Sequence, residues 1–264
     1  MNWRCLLPAL SLGLFAMVAS VKGETPQPAA PATKVYELRV YHCNPGKLDD
    51  LLKRFREHTI GLFEKHGMTN IGYWVPADDD KGKADTLIYL LAHESREKAK
   101  ASWDAFRNDP EWQKARAESE KDGVALAAKV EATFLDETDY TPDASAPGAK
   151  PGPLTYELRT YYTSPGKLDN LNKRFREHTM KLFEKHGMIN VGYWTPSDDD
   201  QGKANTLIYL LAHKDRDAAG KSWGAFGSDP EWQKVYKESQ SDGIPLAAKV
   251  ETIFLVPTDF SRLK

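Results

Sequence analysis

The stretch "YELRVYHCNPGKLDDLLKRFREHTIGLFEKHGM", residues 36–68, returns at residues 156–188 as "YELRTYYTSPGKLDNLNKRFREHTMKLFEKHGM". It opens with a strand, in which Tyr36, Leu38 and Val40 alternate with Glu37, Arg39 and Tyr41. "NPG" then turns the chain. From Lys47 to His66 the residues Leu48, Leu51, Leu52, Phe55, Leu62 and Phe63 recur at helical spacing, and Gly67 supplies a C-terminal stop. Working outward, "TNIGYWVP" (69–76) and "DTLIYLLAH" (85–93) read as the second and third strands, joined by the polar loop "ADDDKGKA". Ser95 is placed to cap a helix whose Ala99, Trp103 and Phe106 share a face, and Asp109-Pro110 opens another. "KVEATFL" (129–135) is a fourth strand. The order β-α-β-β-α-β, with a helical extension, is ferredoxin-like.

A shift of 120 positions lays residues 36–135 on 156–255 without a gap, and about two-thirds of the positions are identical. Solenoid units run only about 20 to 50 residues, so this is a duplicated domain. A four-stranded sheet with helices on one face leaves an aromatic face uncovered, and such a face needs a partner. The second copy is expected to supply it within the chain. The fold class is therefore α+β, with tandem domains at 35–135 and 154–256 whose sheets pair face to face.

Around the repeats lie segments of another kind. Arg4, the apolar run Cys5–Val18 and the small residues after it read as a signal peptide over 1–23, cut after Ser20 or Gly23. The run is shorter than the ~20 residues that span a bilayer, so export to the periplasm or medium is expected, with no stable membrane span after cleavage. "ETPQPAAPATK" (24–34) is a Pro/Ala tether, and 136–153 reads as a linker. The mature chain keeps one cysteine, Cys43, which has no partner for a bridge and pairs with Thr163 in the repeat. The net charge of −2 and the lack of a basic stripe argue against nucleic acid as a partner.

For a site, the helices are expected on the Leu38/Val40 side of the first strand. Glu37, Arg39 and Tyr41 would then face the space between the sheets, with Glu131 of the adjacent fourth strand as a neighbour for Arg39. The second copy repeats the set as Glu157, Arg159, Tyr161 and Glu251. Two uses stay open. One is a paired network, because a buried charge without a partner is costly. The other is a forked donor for the carboxylate or phosphate of a small ligand, with Tyr41 and Trp74 (Tyr161 and Trp194) as walls. His58 and His178 flank the first helix, and His93 and His213 end the third strand; each can serve as a general base near neutral pH. No nucleophile-base-orienter trio accompanies them. His66 and His186 read as caps for helix-terminal carbonyls, and Trp103 and Trp112 as core. No histidine pair has metal spacing, the loop at Asp78–Gly82 lacks the ligand pattern of a calcium loop, and no phosphate loop or GxSxG elbow occurs. No metal and no cofactor are implied.

"YELRxYxxxPGK", the helix ending "FxKHG", the "GYW" strand, the "TLIYLLAH" strand and "WxxF…DPEW", present in both copies, resemble the NIPSNAP family. The resemblance implies the dimeric α/β-barrel type of ferredoxin-like fold, here pseudo-symmetric, in which two open sheet faces close on one another. Better-known members are mitochondrial and linked to vesicle traffic and organelle quality control; the leader and the tandem form set this chain apart from them. Relatives sharing the barrel suggest, by analogy, a cofactor-free monooxygenase or isomerase. Three functions follow, in this order: a module that binds a small anionic or aromatic ligand, or a partner, between the sheets; such an enzyme; an assembly protein. The copies differ at His42/Tyr162, Arg107/Gly227 and Arg116/Tyr236, so one half is expected to carry any site while the other serves as scaffold.

Overall fold

Four strands per repeat appear in the computed structural model, which describes residues 34–142 and 154–264. The segment expected to be a signal peptide, and most of those read as tether and linker, lie outside the described residues. The first repeat runs β1 (Val35–Cys43), α1 (Leu48–Arg54), α2 (Ile60–Lys65), β2 (Thr69–Pro76), β3 (Thr86–His93), α3 (Arg96–Arg107), α4 (Pro110–Ser119) and β4 (Ala127–Glu137). The second runs β5 (Thr155–Thr163), α5 (Leu168–Arg174), α6 (Met180–Lys185), β6 (Ile189–Pro196), β7 (Thr206–His213), α7 (Arg216–Ser228), α8 (Pro230–Glu238) and β8 (Ala247–Pro257).

Local chemistry fixes the boundaries. Ser95 Oγ accepts from Lys98 N, and Asp109 caps α4 through Glu111 N with Pro110 in the first turn. Gly67 and Gly187 stop the first helix of each repeat at φ +78° and +80°. That helix is not uniform, as its spacing suggested. A π turn, Phe55–Thr59 and again Phe175–Thr179, separates its two α segments. Within it Thr59 Oγ1 donates to the Arg54 carbonyl at 3.2 Å, and Thr179 does the same for Arg174.

Each repeat makes the sheet β4-β1-β3-β2 or β8-β5-β7-β6, and the two join into one closed barrel, β1-β3-β2-β8-β5-β7-β6-β4. The seams are short: β2 meets β8 over Trp74–Pro76, and β4 meets β6 over Leu135–Glu137. Strand β4 runs past the boundary expected at 135 because it must reach β6. The chain beyond each last strand then crosses to the other repeat. Thr138 N donates to the Tyr193 carbonyl at 3.0 Å, and Tyr193 N donates to Thr141 Oγ1 at 3.1 Å. Thr258 N and Ser261 Oγ treat Tyr73 in the same way, each at 2.9 Å. Arg56–Asp259 and Arg176–Asp139 are forked ion pairs that fasten these two straps.

The expected orientation of the sheets is reversed. Tyr36, Leu38 and Val40 face the barrel interior with Trp74, Ile88, Leu90 and their counterparts Tyr156, Leu158, Trp194 and Leu210. Tyr36 meets Trp194 at 5.6 Å and Trp74 meets Tyr156 at 5.5 Å between ring centroids. Glu37, Arg39 and Tyr41 instead lie under the helices, where Tyr41 packs against Phe55 and Tyr89 of a cluster that also holds Phe63 and Trp103. An interior sealed at both seams takes apolar side chains, whereas the margin between sheet and helices still lets a guanidinium reach water.

Candidate functional site

The charged residues of β1 close on themselves. Glu37 accepts from Arg39 Nη1 at 2.5 Å, from His93 Nε2 at 3.0 Å and from Trp103 Nε1 at 2.7 Å. Arg39 also lies over the Trp103 ring at 4.4 Å. Burial raises the Glu37 pKa, but the hydrogen bond from His93, the Arg39 charge and the Trp103 indole together hold it below the ordinary glutamate value. Glu157, Arg159, His213 and Trp223 repeat the arrangement within 0.1 Å at each hydrogen bond: 2.6, 2.9 and 2.7 Å. Arg39 and His93, with Arg159 and His213, are thus brought together, on the helix side and around a glutamate that already answers them. Glu131 is not part of this. It stands opposite Val40 and pairs with Lys129 and His42 on the surface, since the register places Ala132 beside Arg39.

Between the sheets there is no room for a ligand. Trp74 and Trp194 do face the interior, but the space left among Leu38, Trp74, Leu158 and Trp194 is about 10 Å³. Tyr41 and Tyr161 are on the other face and wall nothing there. His58 is exposed and His178 partly so, each on the π turn, with only Glu177 at 3.9 Å as an ionic neighbour of His178. His66 and His186 do not cap helix carbonyls. Each places Nε2 at 2.7 Å from the N-cap aspartate of the following helix pair, Asp109 or Asp229. Hydrogen bonds from Lys65 and His66 keep Asp109 well below the usual carboxylate range.

A cleft does open under the helices of the second repeat. It holds about 150 Å³ and is lined by Tyr161, Arg174, Phe175, Trp232, Tyr236 and Gln240, among others. The π turn begins at its floor. Arg174 is only 5% exposed. It donates to Ser239 Oγ at 3.2 Å, as Arg54 does to Ser119 Oγ at 3.1 Å, and the Nε of both arginines is without a partner, but no carboxylate among the described residues pairs with Arg174. Burial pulls its pKa below the ordinary arginine value, opposed by Tyr161, Tyr236 and Tyr209. The guanidinium lies 5.1 Å from the Trp232 ring centroid and 5.5 Å from that of Tyr236. The equivalent Arg54 is answered within its own repeat: Glu120 Oε1 receives its Nη1 at 2.9 Å, and Glu120 Oε2 receives Arg116 Nε at 3.2 Å. In the second repeat these partners are Gln240 and Tyr236. Gln240 turns its oxygen to Leu246 N at 2.9 Å and its amide to the Tyr236 carbonyl at 3.2 Å.

Of the candidate ligand-binding residues named from the sequence, only Tyr161 lines this cleft, beside Tyr236 of the unequal pair Arg116/Tyr236. Arg174 and Gln240 carry no sequence expectation, and Trp232 is the counterpart of Trp112, which reads as core. The signal was present in the unequal pairs Arg116/Tyr236 and Glu120/Gln240, four residues apart on one helical margin.

The NIPSNAP family model matches residues 36–142 and 156–262. Protein NipSnap homolog 3B of Mus musculus is 25% identical over 231 residues, which cover 87% of this chain and 85% of the mouse protein. Protein NipSnap homolog 3A of Homo sapiens is 23% identical over 232 residues, with the same coverage of 87% and 85%. These alignments run through both repeats, so the tandem form does not set the chain apart from those relatives. Among solved structures, a proposed monooxygenase from Lactobacillus acidophilus has a TM-score of 0.53 at 12% identity, over 85% of this chain and 94% of that one. That likeness concerns the fold alone.

Proposed function

The chain belongs to the NIPSNAP family, and from that premise we propose that it is an exported, non-catalytic module that binds one small ligand in the helix-side cleft of its second repeat. Arg174 carries this reading. A buried cation without a counter-charge costs free energy, and the first repeat holds the same arginine with that cost met by Glu120. Keeping Arg174 unanswered beside an open cleft fits a site held for an anion from outside. The histidines that a catalytic reading would use are differently placed: His93 and His213 bond to Glu37 and Glu157, and His58 stands exposed. The leader sequence supports export.

The test is a native mass spectrum of the mature protein set beside its denatured mass. The expected result is a monomer carrying one small extra mass, lost in both Arg174→Met and Gln240→Glu. A wild-type monomer of bare mass, or an extra mass retained in both variants, overturns the reading.

A further inference from the structure

Resting on that reading, we infer that the second-repeat cleft takes a flat aromatic molecule bearing one carboxylate, and that Glu120 of the first repeat marks where that carboxylate lies. The two repeats act as liganded and open versions of one site. Their arginines (54 and 174), serines (119 and 239), tryptophans (112 and 232), phenylalanines (55 and 175) and tyrosines (41 and 161) are the same. The difference falls on two neighbouring positions. In the first repeat a carboxylate oxygen sits 2.9 Å from the arginine Nη1, so the geometry of an anion at this guanidinium is already drawn.

Charge sets the valence. Glu120 is largely buried, at 18% side-chain exposure, and balances Arg54, while Arg116 on its outer side is 62% exposed and solvated. Exchanging glutamate for glutamine removes one buried negative charge, and no second cation lines the cleft among the described residues. One negative charge restores the balance. A phosphate dianion would bring a second with nothing to meet it, whereas a carboxylate suits a guanidinium fork.

Shape sets the rest. Tyr236 stands where the first repeat has Arg116, 5.6 Å from Trp232, and Tyr161 stands 6.0 Å from Phe175. These pairs are already in contact, tilted in one case and edge-to-face in the other, and together they give the cleft an aromatic wall against which a further ring packs. A dry cavity of about 150 Å³ in an engineered core accommodates benzene, and the cleft has that volume. Its mouth is open at Tyr236 and Val250, 49% and 44% exposed.

The experiment titrates the mature protein with benzoate, benzamide and inorganic phosphate, following tryptophan fluorescence, with Trp232 as the reporter. Wild type is expected to bind one benzoate saturably, with benzamide and phosphate about tenfold weaker or more. Gln240→Glu, which restores the first repeat's own carboxylate, is expected to abolish benzoate binding and raise Tm. Arg116→Tyr with Glu120→Gln, which copies the open lining into the first repeat, is expected to raise the stoichiometry from one to two. Benzamide binding as well as benzoate would overturn the anionic class and leave the cleft standing as a compartment. Phosphate binding alone would overturn the aromatic class and likewise leave the compartment. Failure of all three probes, with Tm unmoved in Gln240→Glu, would overturn both this inference and the binding reading beneath it.

Discussion

At the residue scale, Glu37 decides what Arg39 is for. Three donors converge on one carboxylate under the helices, so removing it leaves a buried guanidinium without its counter-ion. Breaking a buried pair in this way costs about 3–5 kcal/mol, while replacing both members with apolar residues costs far less. Glu37→Gln is therefore expected to be strongly destabilised in urea unfolding, and Glu37→Leu with Arg39→Met to recover most of the loss. A double variant as unstable as the single one would mean that Arg39 serves something other than this pairing. The pH dependence has a definite sign. Because the folded-state pKa of Glu37 lies below the reference value of 4.5, its contribution is complete above that pH and is lost as pH falls through the lower native value. The Tm difference between wild type and Glu37→Gln should shrink as the solution is acidified below about pH 4.5. Arg39 was recognisable in the sequence as a residue with a special environment. Its direction was not, because alternation defines two faces of a strand without naming them, and in this fold both faces of β1 are covered.

At the scale of elements, the strands and caps were legible because their signals are local: alternation in β1, a glycine stop after α2, serine and aspartate ahead of α3 and α4. The π turn was not. Phe55, Leu62 and Phe63 suit a widened helix as well as a uniform one, so the extra residue leaves no trace in the periodicity. Strand β2 hides a second such feature. Its register shifts between Asn70 and Gly72, and the Trp74 ring folds back so closely that a Cβ at Gly72 would lie 2.3 Å from it. Gly72→Ala must push Trp74 out of the barrel core, and overpacking of this kind costs about 1–3 kcal/mol. The expected readout is a lower urea midpoint together with a shifted tryptophan emission. Gly192→Ala should match it, since its Cβ would lie 2.2 Å from Trp194. An unchanged midpoint in both would show that β2 has slack which the packing around Trp74 does not suggest.

At the scale of the molecule, the face-to-face pairing of the repeats was readable from the duplication, and the closing of the barrel followed from a sheet that could not stand alone. The straps were not readable. Residues 138–141 and 258–261 have the composition of connecting chain, and only their contacts with the opposite repeat give them a role. Each repeat lends its tail to the other, and a fragment spanning 35–142 has a tail with nothing to hold. Such a fragment is expected to sediment as a dimer, with the two tails exchanged. A stable folded monomer would show that barrel closure is dispensable. The open cleft is legible in neither copy by itself and emerges only from their difference, since an isolated arginine in a helix is unremarkable until its twin is found answered. Had the barrel been assembled from two products of one gene, every mutation would have appeared twice, and an arginine stripped of its glutamate would have weakened both halves at once. Fusion of the copies lifts that constraint: Glu120 can answer its arginine in one half while Gln240 leaves Arg174 open in the other, and the stability of the first half is untouched by the difference.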